Sequence, residues 1–432
     1  MRYVLLSTIL LCTSSTALMA QVPQATPLPI SRSIPIAQFG ARGDGRTNDT
    51  EAFIAAIIVA ASEGARLQLG NATYLLTGTL TIPPSAKPIA ITGGTGTTLL
   101  FSPAHSLDSG IVISNHSAVE LNSFTIQGSG AGLNHAISVM GSTNIQLDTL
   151  RIANIGGTGP LTTSAILLGN DNLIWITNST FTGVGQGAGK PALNIFNYYK
   201  MDSQHIYISH NTMSGNTSNI AIGLFDTNNS IVANNTIDGG NNCIRPCNNN
   251  GYGVLFYLND LHGFTPALAP KLQNETVTGN QIQNTAGSGI YIVSATGVTV
   301  TGNSITHSTI QMNDASLPAA AIALNGDNNA TVSNNVIQKD GKGGIALSTD
   351  LDTVVQGNMI YGPPKWGINL RIGDVNTTIE NNTIYNSPVG LMIERDAVNT
   401  TIKNNAFNGV PLVTSYYYQQ LDPALTCQVG SC

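Results

Sequence analysis

Ile379-Glu-Asn-Asn-Thr-Ile384, followed after five residues by Gly390-Leu-Met-Ile-Glu394, is the stretch that decides the fold. The first segment returns as Val355-Gln-Gly-Asn-Met-Ile360, Val332-Ser-Asn-Asn-Val-Ile337, Val300-Thr-Gly-Asn-Ser-Ile305 and Val232-Ala-Asn-Asn-Thr-Ile237. The second returns as Gly367-Ile-Asn-Leu-Arg371, Gly344-Ile-Ala-Leu-Ser348 and Gly289-Ile-Tyr-Ile-Val293. The recurring Asn positions run Asn122, Asn211, Asn235, Asn280, Asn303, Asn335, Asn358, Asn382 and Asn405, with Asp148 and Ser179 in the two matching places between Asn122 and Asn211. The shortest spacing is 23 residues and the longest 45, which reads as one unit with loops inserted into some copies.

Within a unit, apolar residues alternate with period two, so each short strand has an inward and an outward face. Three short strands per unit and no helical period leave one natural packing. The chain coils, each strand pairs with its copy in the next coil, and every backbone ladder is satisfied except at the two ends. The expected fold is an all-β, right-handed parallel β-helix solenoid of about eleven coils, roughly 50 Å long at about 4.8 Å per coil. The recurring Asn fits a tight bend, where its side chain can reach backbone and the Asn of the next coil. Several of these Asn stand in Asn-x-Thr sequences, but recurrence in phase with the coil favours a bend ladder over glycan acceptors.

Of 432 residues, 42% are hydrophobic and only 9% charged, against about 25% charged in an ordinary soluble protein. Ample apolar content with a net charge of −6 excludes a disordered chain. The absence of any Lys/Arg cluster excludes phosphate-driven binding of nucleic acid. Residues 1–20 read as a secretory signal: Arg2, an apolar run from Val4 to Cys12, then small residues up to Ala20. That run is too short to span a bilayer, so a secreted or periplasmic protein with no membrane partner after signal removal, and a monomer, is expected. The remaining cysteines fall into two close pairs, Cys243 with Cys247 and Cys427 with Cys432, each expected to close a small disulfide loop. The organisation expected is residues 1–20 signal, 21–34 linker, 35–100 N-terminal cap and first coils, 101–410 β-helix coils, and 411–432 C-terminal cap, with Tyr416-Tyr-Tyr418 covering the open end of the core.

Ahead of the coils, Ile36-Ala-Gln-Phe-Gly-Ala-Arg-Gly-Asp-Gly-Arg-Thr-Asn-Asp-Thr-Glu-Ala-Phe-Ile-Ala-Ala-Ile57 reads as a short strand, a Gly-rich turn and a helix. Asn48 or Asp49 can cap that helix, and Phe53, Ile54, Ile57 and Ile58 form its expected apolar face. A helix here would plug the open end of the solenoid. The segment resembles the Phe-Gly-Ala-x-Gly-Asp-Gly opening of the pectate-lyase-like superfamily, and Asn71-Ala-Thr-Tyr-Leu-Leu-Thr-Gly-Thr-Leu-Thr-Ile-Pro83 continues the likeness. That superfamily includes polysaccharide lyases, mannuronan C5-epimerases, polygalacturonase-type hydrolases and phage tailspikes. The resemblance implies the architecture and a polysaccharide partner. It carries over no catalytic residue, because the Asp-Pro-His triplet of the epimerases and the paired-Asp and Gly-His-Gly signatures of the polygalacturonases are absent. Asp44 and Asp49 read as turn and cap residues.

Inserted loops mark where a site would lie: residues 155–163, 183–191, 238–251, 258–273 and 307–318. They should wall a groove over the outward face of the first sheet, the one built from the Gly-opened strands. Alternation points Phe225, Tyr257, Tyr291, Val293 and Asn325 outward there, either as packing under a loop or as platforms for sugar rings. Charged candidates near the groove are Asp226, Arg245, Asp260, His262, Lys200, Asp202 and His307. Elimination from a uronate needs a cation and a base, for which Arg245, His262 and Tyr257 are the first candidates; hydrolysis needs two carboxylates, such as Asp226 with Asp260 or Asp202. Tyr291, Phe225, Asn325, Lys200, Asp202 and His307 are the expected substrate contacts. Arg371 and Glu394 share an offset from Gly367 and Gly390 and should form an ion pair between coils. Asp327, Asp350, Asp374 and Asp396 recur after one strand, as turn caps or as a Ca2+ site, the one cofactor the sequence raises. The functional expectation is an exported enzyme acting on an acidic polysaccharide by β-elimination, with a hydrolase of the same fold or a non-catalytic glycan-binding surface protein as alternatives.

Overall fold

Three short strands per turn, joined at three corners, build the whole molecule. The computed structural model describes residues 21–130, 132–157, 163–185, 192–198, 201–215, 220–239, 251–258, 272–309, 320–394, 396–416 and 426–427. One full turn is traced by Val389–Ile393 on the first sheet, Thr401–Lys403 on the second, Ala406–Asn408 on the third, and Leu412–Tyr416 back on the first. Each strand pairs in parallel with its copies before and after, as in Ile345↔Ile368 and Ile368↔Leu391. Among the described residues the first sheet has 13 strands and the third 14, which sets the solenoid at about a dozen right-handed coils.

Alternation supplies the core. Ile166, Ile195, Ile222, Val254, Ile290, Ile322, Ile345 and Ile368 stack in register down the inner wall of the first sheet, all fully buried. Each such side chain contributes about 1.5–3 kcal/mol on leaving water. Gly opens these strands for a steric reason. A Cβ at Gly344 would lie 2.4 Å from the Gly367 carbonyl oxygen and 2.7 Å from a methyl of Ile360 on the third sheet. The corner closes only where no side chain stands.

The bend between the second and third sheets carries the Asn ladder. From Asn211 through Asn235, Asn280, Asn303, Asn335, Asn358 and Asn382 to Asn405, each Nδ2 donates to the Oδ1 of the next Asn at 2.9–3.0 Å. The same Oδ1 accepts the preceding Asn's backbone N–H, and each Nδ2 also reaches a carbonyl of the coil before. Ser179 joins this ladder, its N–H donating to Asn211. Asn122 and Asp148 do not. Register pairs Asn122 with Asp148 and Asp148 with Thr177, two residues before the bend. The bend position in those coils holds Leu150, whose N–H donates to Ser179, and Phe124, both buried and apolar. The early coils fill the corner with hydrocarbon and the later ones with amides.

At the N-terminal end the helix Thr50–Glu63 covers the core. Asn48 caps it, accepting the Thr50 N–H at 3.1 Å. Asp49 instead accepts the N–H groups of Arg42 and Gly43, and so pins the Gly-rich turn. Asp44 accepts the N–H groups of Thr47 and Arg46, which hold its carboxyl down at about 2. The buried face is Phe53, Ala56, Ile57, Ala60 and Ala61. Ile58 was expected on that face but is 54% exposed, because the alanines, not Ile58, meet the first coil. Residues 21–27 pass over the outside of the second sheet, and Ser33–Pro35 then join it as a strand paired with Arg66–Gln68. The Pro23 carbonyl accepts the Trp175 indole N–H at 2.9 Å, and the Thr26 carbonyl accepts Gln146 Nε2 at 2.7 Å. Among the described residues no helix is long and apolar enough to cross a membrane.

Residues 1–20 lie outside the described residues, as do Cys243, Cys247 and Cys432; of Cys427 only the backbone is described. At the other end Tyr416 continues an inward row behind Ile393 and is 38% exposed, while Tyr417 and Tyr418 lie outside the described residues.

Candidate functional site

The outward face of the first sheet is the best-formed surface with chemistry on it. Its side chains stand in rows fixed by strand register. One row runs Phe225, Tyr257, Val293, Asn325 and, by continuing the same register, Ser348, Arg371 and Glu394. The neighbouring row runs Leu255, Tyr291, Ala323, Ala346, Asn369 and Met392. The face therefore changes character along the solenoid: apolar and aromatic first, small side chains next, polar and charged last.

The apolar half is packed. Phe225 is 7% exposed and Tyr291 5%, and both belong to a second hydrophobic cluster with Phe196, Tyr252, Leu255 and Val293. Phe225 meets Phe196 edge-on at 5.6 Å, and Tyr252 meets Tyr291 at 5.3 Å. Of the aromatic side chains predicted to present a platform, Tyr257 alone is exposed, at 36%. Outward direction was read correctly from the alternation, and of the two readings open there, packing or platform, packing holds for Phe225 and Tyr291, because these side chains are large enough to bury one another.

Where the row turns polar, single groups are held in place. Burial pushes the Tyr291 hydroxyl up to about 12, against the opposing pull of its hydrogen bond with Asn325, so it stays a neutral donor at ordinary pH. Asn325 also accepts Thr349 Oγ1 at 3.3 Å. Arg371 Nε lies 3.7 Å from Glu394 Oε1, which also accepts Asn369 Nδ2 at 3.0 Å. Register sets Arg371 three coils along from Tyr291, and its charge adds only a minor downward pull on that hydroxyl. The oxygen of Asn369 is buried without a partner. The expected ion pair between coils is thus present, and it faces the same surface as Tyr291 and Asn325. Reading it only as an ion pair missed its place on that face; the shared offset from Gly367 and Gly390 was the signal.

The other candidates scatter. Asp226 follows its strand in a left-handed bend, φ 53°, and is 8% exposed; register places Asp202 one coil before it at the same corner. His307 stands at the opposite corner, between the third and first sheets, a strand's length from Asn325. Lys200, Arg245, Asp260 and His262 lie outside the described residues.

The recurring aspartates are turn caps. Asp350 Oδ1 accepts the Asp327 N–H at 2.7 Å and its Oδ2 accepts the Ser348 N–H at 2.9 Å; Asp374 accepts the Asp350 N–H at 2.9 Å. Register assigns the next place to Ala397, not Asp396, which is exposed in a left-handed bend. Burial, with repulsion from its neighbours in the row, pushes the Asp350 carboxyl well up, and burial holds Asp374 at about 7. Among the described residues no three His, Cys, Asp or Glu converge as metal ligands.

Comparison with known proteins bears on this geometry. Residues 109–317 match the family model of the right-handed β-helix region, and residues 306–417 match that of the periplasmic copper-binding protein NosD. Copper favours thiolate, thioether and imidazole donors. The stretch 306–417 holds one His and no Cys, and its described methionines, Met359 and Met392, stand on different sheets, so these residues do not fit a copper site. Among curated protein sequences, none matches this chain. Solved structures do. The surface adhesin PfbA of Streptococcus pneumoniae is 14% identical, covering 87% of this chain and 90% of its own, with a TM-score of 0.58. Tailspike protein 3 of bacteriophage CBA120 is 14% identical over 92% of this chain and 60% of its own, TM-score 0.59. The A-module of the Azotobacter vinelandii mannuronan C-5 epimerase AlgE4 is 15% identical over 91% of this chain and 99% of its own, TM-score 0.57. At such identities the likeness is one of fold. The chain is a right-handed parallel β-helix related in architecture to epimerase, tailspike and adhesin β-helices.

Proposed function

We propose that the protein is an exported, carbohydrate-active β-helix that binds an acidic polysaccharide along the outward face of its first sheet, and that its chemistry is lyase-type β-elimination. The observation that carries the reading is the Arg371–Glu394–Asn369 group standing on the same rows as Tyr291 and Asn325. Elimination from a uronate requires a cation on the carboxylate and an acid for the departing oxygen. Arg371 supplies the first. Tyr291, kept protonated by burial, supplies the second. His262, from an inserted loop, and Tyr257 remain the candidates for the base, Arg245 is a second cation, and Asp226 with Asp260 or Asp202 belongs to the hydrolytic alternative.

The fold likeness to a mannuronan epimerase and to a phage tailspike agrees with a glycan partner; the likeness to an adhesin agrees with a second reading, a glycan-binding protein without chemistry. The packing of Phe225 and Tyr291 favours that second reading, since packed aromatics leave less ring surface for sugars. Absorbance at the unsaturated-uronate band, with the full chain offered alginate, polygalacturonate and hyaluronate, decides. A rise that is lost in Arg371→Gln and Tyr291→Phe supports elimination. A flat trace, with the acidic glycans still retained by the protein and no reducing ends released, leaves the binding protein.

A further inference from the structure

A cavity of about 790 Å³ lies on a different side of the solenoid, between the N-terminal segment and the second sheet. That volume is within the roughly 300–1,000 Å³ of small-molecule sites. Residues 21–25 and Pro27 form one wall, and Trp175, Thr177, Asn178, Ser209, His210 and Asn234 form the other. The wall is built: the indole N–H of Trp175 is fixed to the Pro23 carbonyl, Trp175 packs on Tyr207 at 5.5 Å, and Asn178 is fixed to Asp148 at 2.7 Å.

Asn178, His210 and Asn234 occupy one corner column, each in left-handed backbone with φ of 51°, 58° and 55°. Further along, the same corner holds Gly279, Gly302 and Gly357, where glycine adopts the conformation without strain, and Asn334, Asn381 and Asn404, which tolerate it. From Asn178 to Asn404 His210 alone departs from that choice of Asn or Gly, and it stands exposed under the N-terminal segment between Asn178 and Asn234. These three form a comb of two amides and an imidazole, with the hydroxyls of Thr177 and Ser209 behind.

We propose that this cavity is a binding site for a neutral oligosaccharide, separate from the first-sheet face. Apart from the imidazole, no titratable side chain lines it, so nothing there recognises a carboxylate or a phosphate. Amides, hydroxyls and an imidazole suit sugar hydroxyls, while the Trp175 indole, 8% exposed with its N–H engaged, supports the wall.

The test is saturation-transfer NMR on maltohexaose, cellohexaose and mannohexaose with the full chain, repeated with the double variant His210→Gly, Asn234→Gly. Glycine already serves this corner in three coils, so the variant is expected to fold, and its unfolding midpoint should match or exceed the parent's. Transfer to at least one neutral hexaose, weakened about tenfold by the loss of two hydrogen-bonding side chains, and unchanged in Arg371→Gln, supports the site. Transfer to none of the three, or transfer undiminished in the double variant, overturns it; so does binding confined to an oligouronate. Loss in Arg371→Gln with the double variant intact would assign the signal to the first-sheet face instead.

Discussion

Replacing Asn335 by Leu should destabilise the solenoid by about 1–3 kcal/mol, through a buried backbone N–H that loses its side-chain partner. Asn335 is fully buried and makes four hydrogen bonds. Its Nδ2 donates to Val300 O at 3.0 Å and to Asn358 Oδ1 at 3.0 Å; its Oδ1 accepts Asn303 N at 2.9 Å and Asn303 Nδ2 at 3.0 Å. Two of these partners are covered elsewhere. Asn303 Nδ2 keeps Val277 O and Thr301 O, and Asn358 Oδ1 keeps the backbone N–H of residue 335. The Val300 carbonyl also lies in the parallel ladder with Thr331–Ser333, so the group left without a partner is the Asn303 N–H, and an unsatisfied buried group costs about 1–3 kcal/mol. Asn405 is a built-in comparison: its side chain accepts the same kind of group, the Asn382 N–H, but is 6% exposed, so water can serve that group. Urea unfolding followed by far-UV circular dichroism measures both variants, provided the slope is unchanged. If Asn335→Leu costs less than about 1 kcal/mol, or no more than Asn405→Leu, the ladder is not what holds this corner.

The buried carboxylates set a pH dependence. Asp171 and Asp374 are both pushed by burial to about 7, above the value of an unfolded aspartate, so the stability they offer is complete below about 4 and is lost as pH rises through about 7; the thermal midpoint should rise between about pH 8 and about pH 5.5, and a flat profile over that range would contradict the burial. Asn194 is fully buried with neither its oxygen nor its nitrogen paired, in register with Ala165 and Ala221. Asn194→Ala should therefore raise stability by about 1–2 kcal/mol in the same urea assay; a loss would mean the amide has a partner in solution. Arg371→Gln should change stability by less than about 1 kcal/mol, since the ion pair with Glu394 is partly exposed and 3.7 Å long, so any loss of glycan binding in that variant reports recognition and not unfolding.

What could be read from the sequence follows from what the repeat constrains. Inward positions must be apolar and bends must be satisfied, so Ile290, Ile322, Ile345 and Asn280 to Asn405 announce themselves. Register at the first coils was misread at Asn122 and Asp148 because a polar residue two places early mimics the bend residue, whereas Phe124 and Leu150 do the same work with hydrocarbon. One residue misplaced Asp396 in the same way, since Ala397 closes the row without a carboxylate. Outward positions carry no such constraint. Tyr291, Ala323, Ala346 and Asn369 share one outward row, and nothing in a period-two pattern says that all four are covered.

That freedom leaves two placements for a glycan on the first sheet, and they rest on opposed arguments. Inserted loops fall among the coils from Ile166 to Ile322, whose outward face is the aromatic, packed half. The coils from Ile322 to Leu391 follow at the minimal spacing of 23 residues, and they hold Asn325, Asn369, Arg371 and Glu394. A repeat protein tolerates loops wherever its corners allow, so insertion by itself says only that a corner is permissive. A buried amide oxygen without a partner at Asn369, beside a fixed guanidinium, is harder to account for by folding alone, because an apolar residue there would cost nothing. The polar half is therefore the stronger placement. Retention on an acidic-polysaccharide affinity gel separates the two: loss with Arg371→Gln and not with Tyr257→Ala places the glycan over the plain coils, and the reverse returns it to the loop-flanked aromatics.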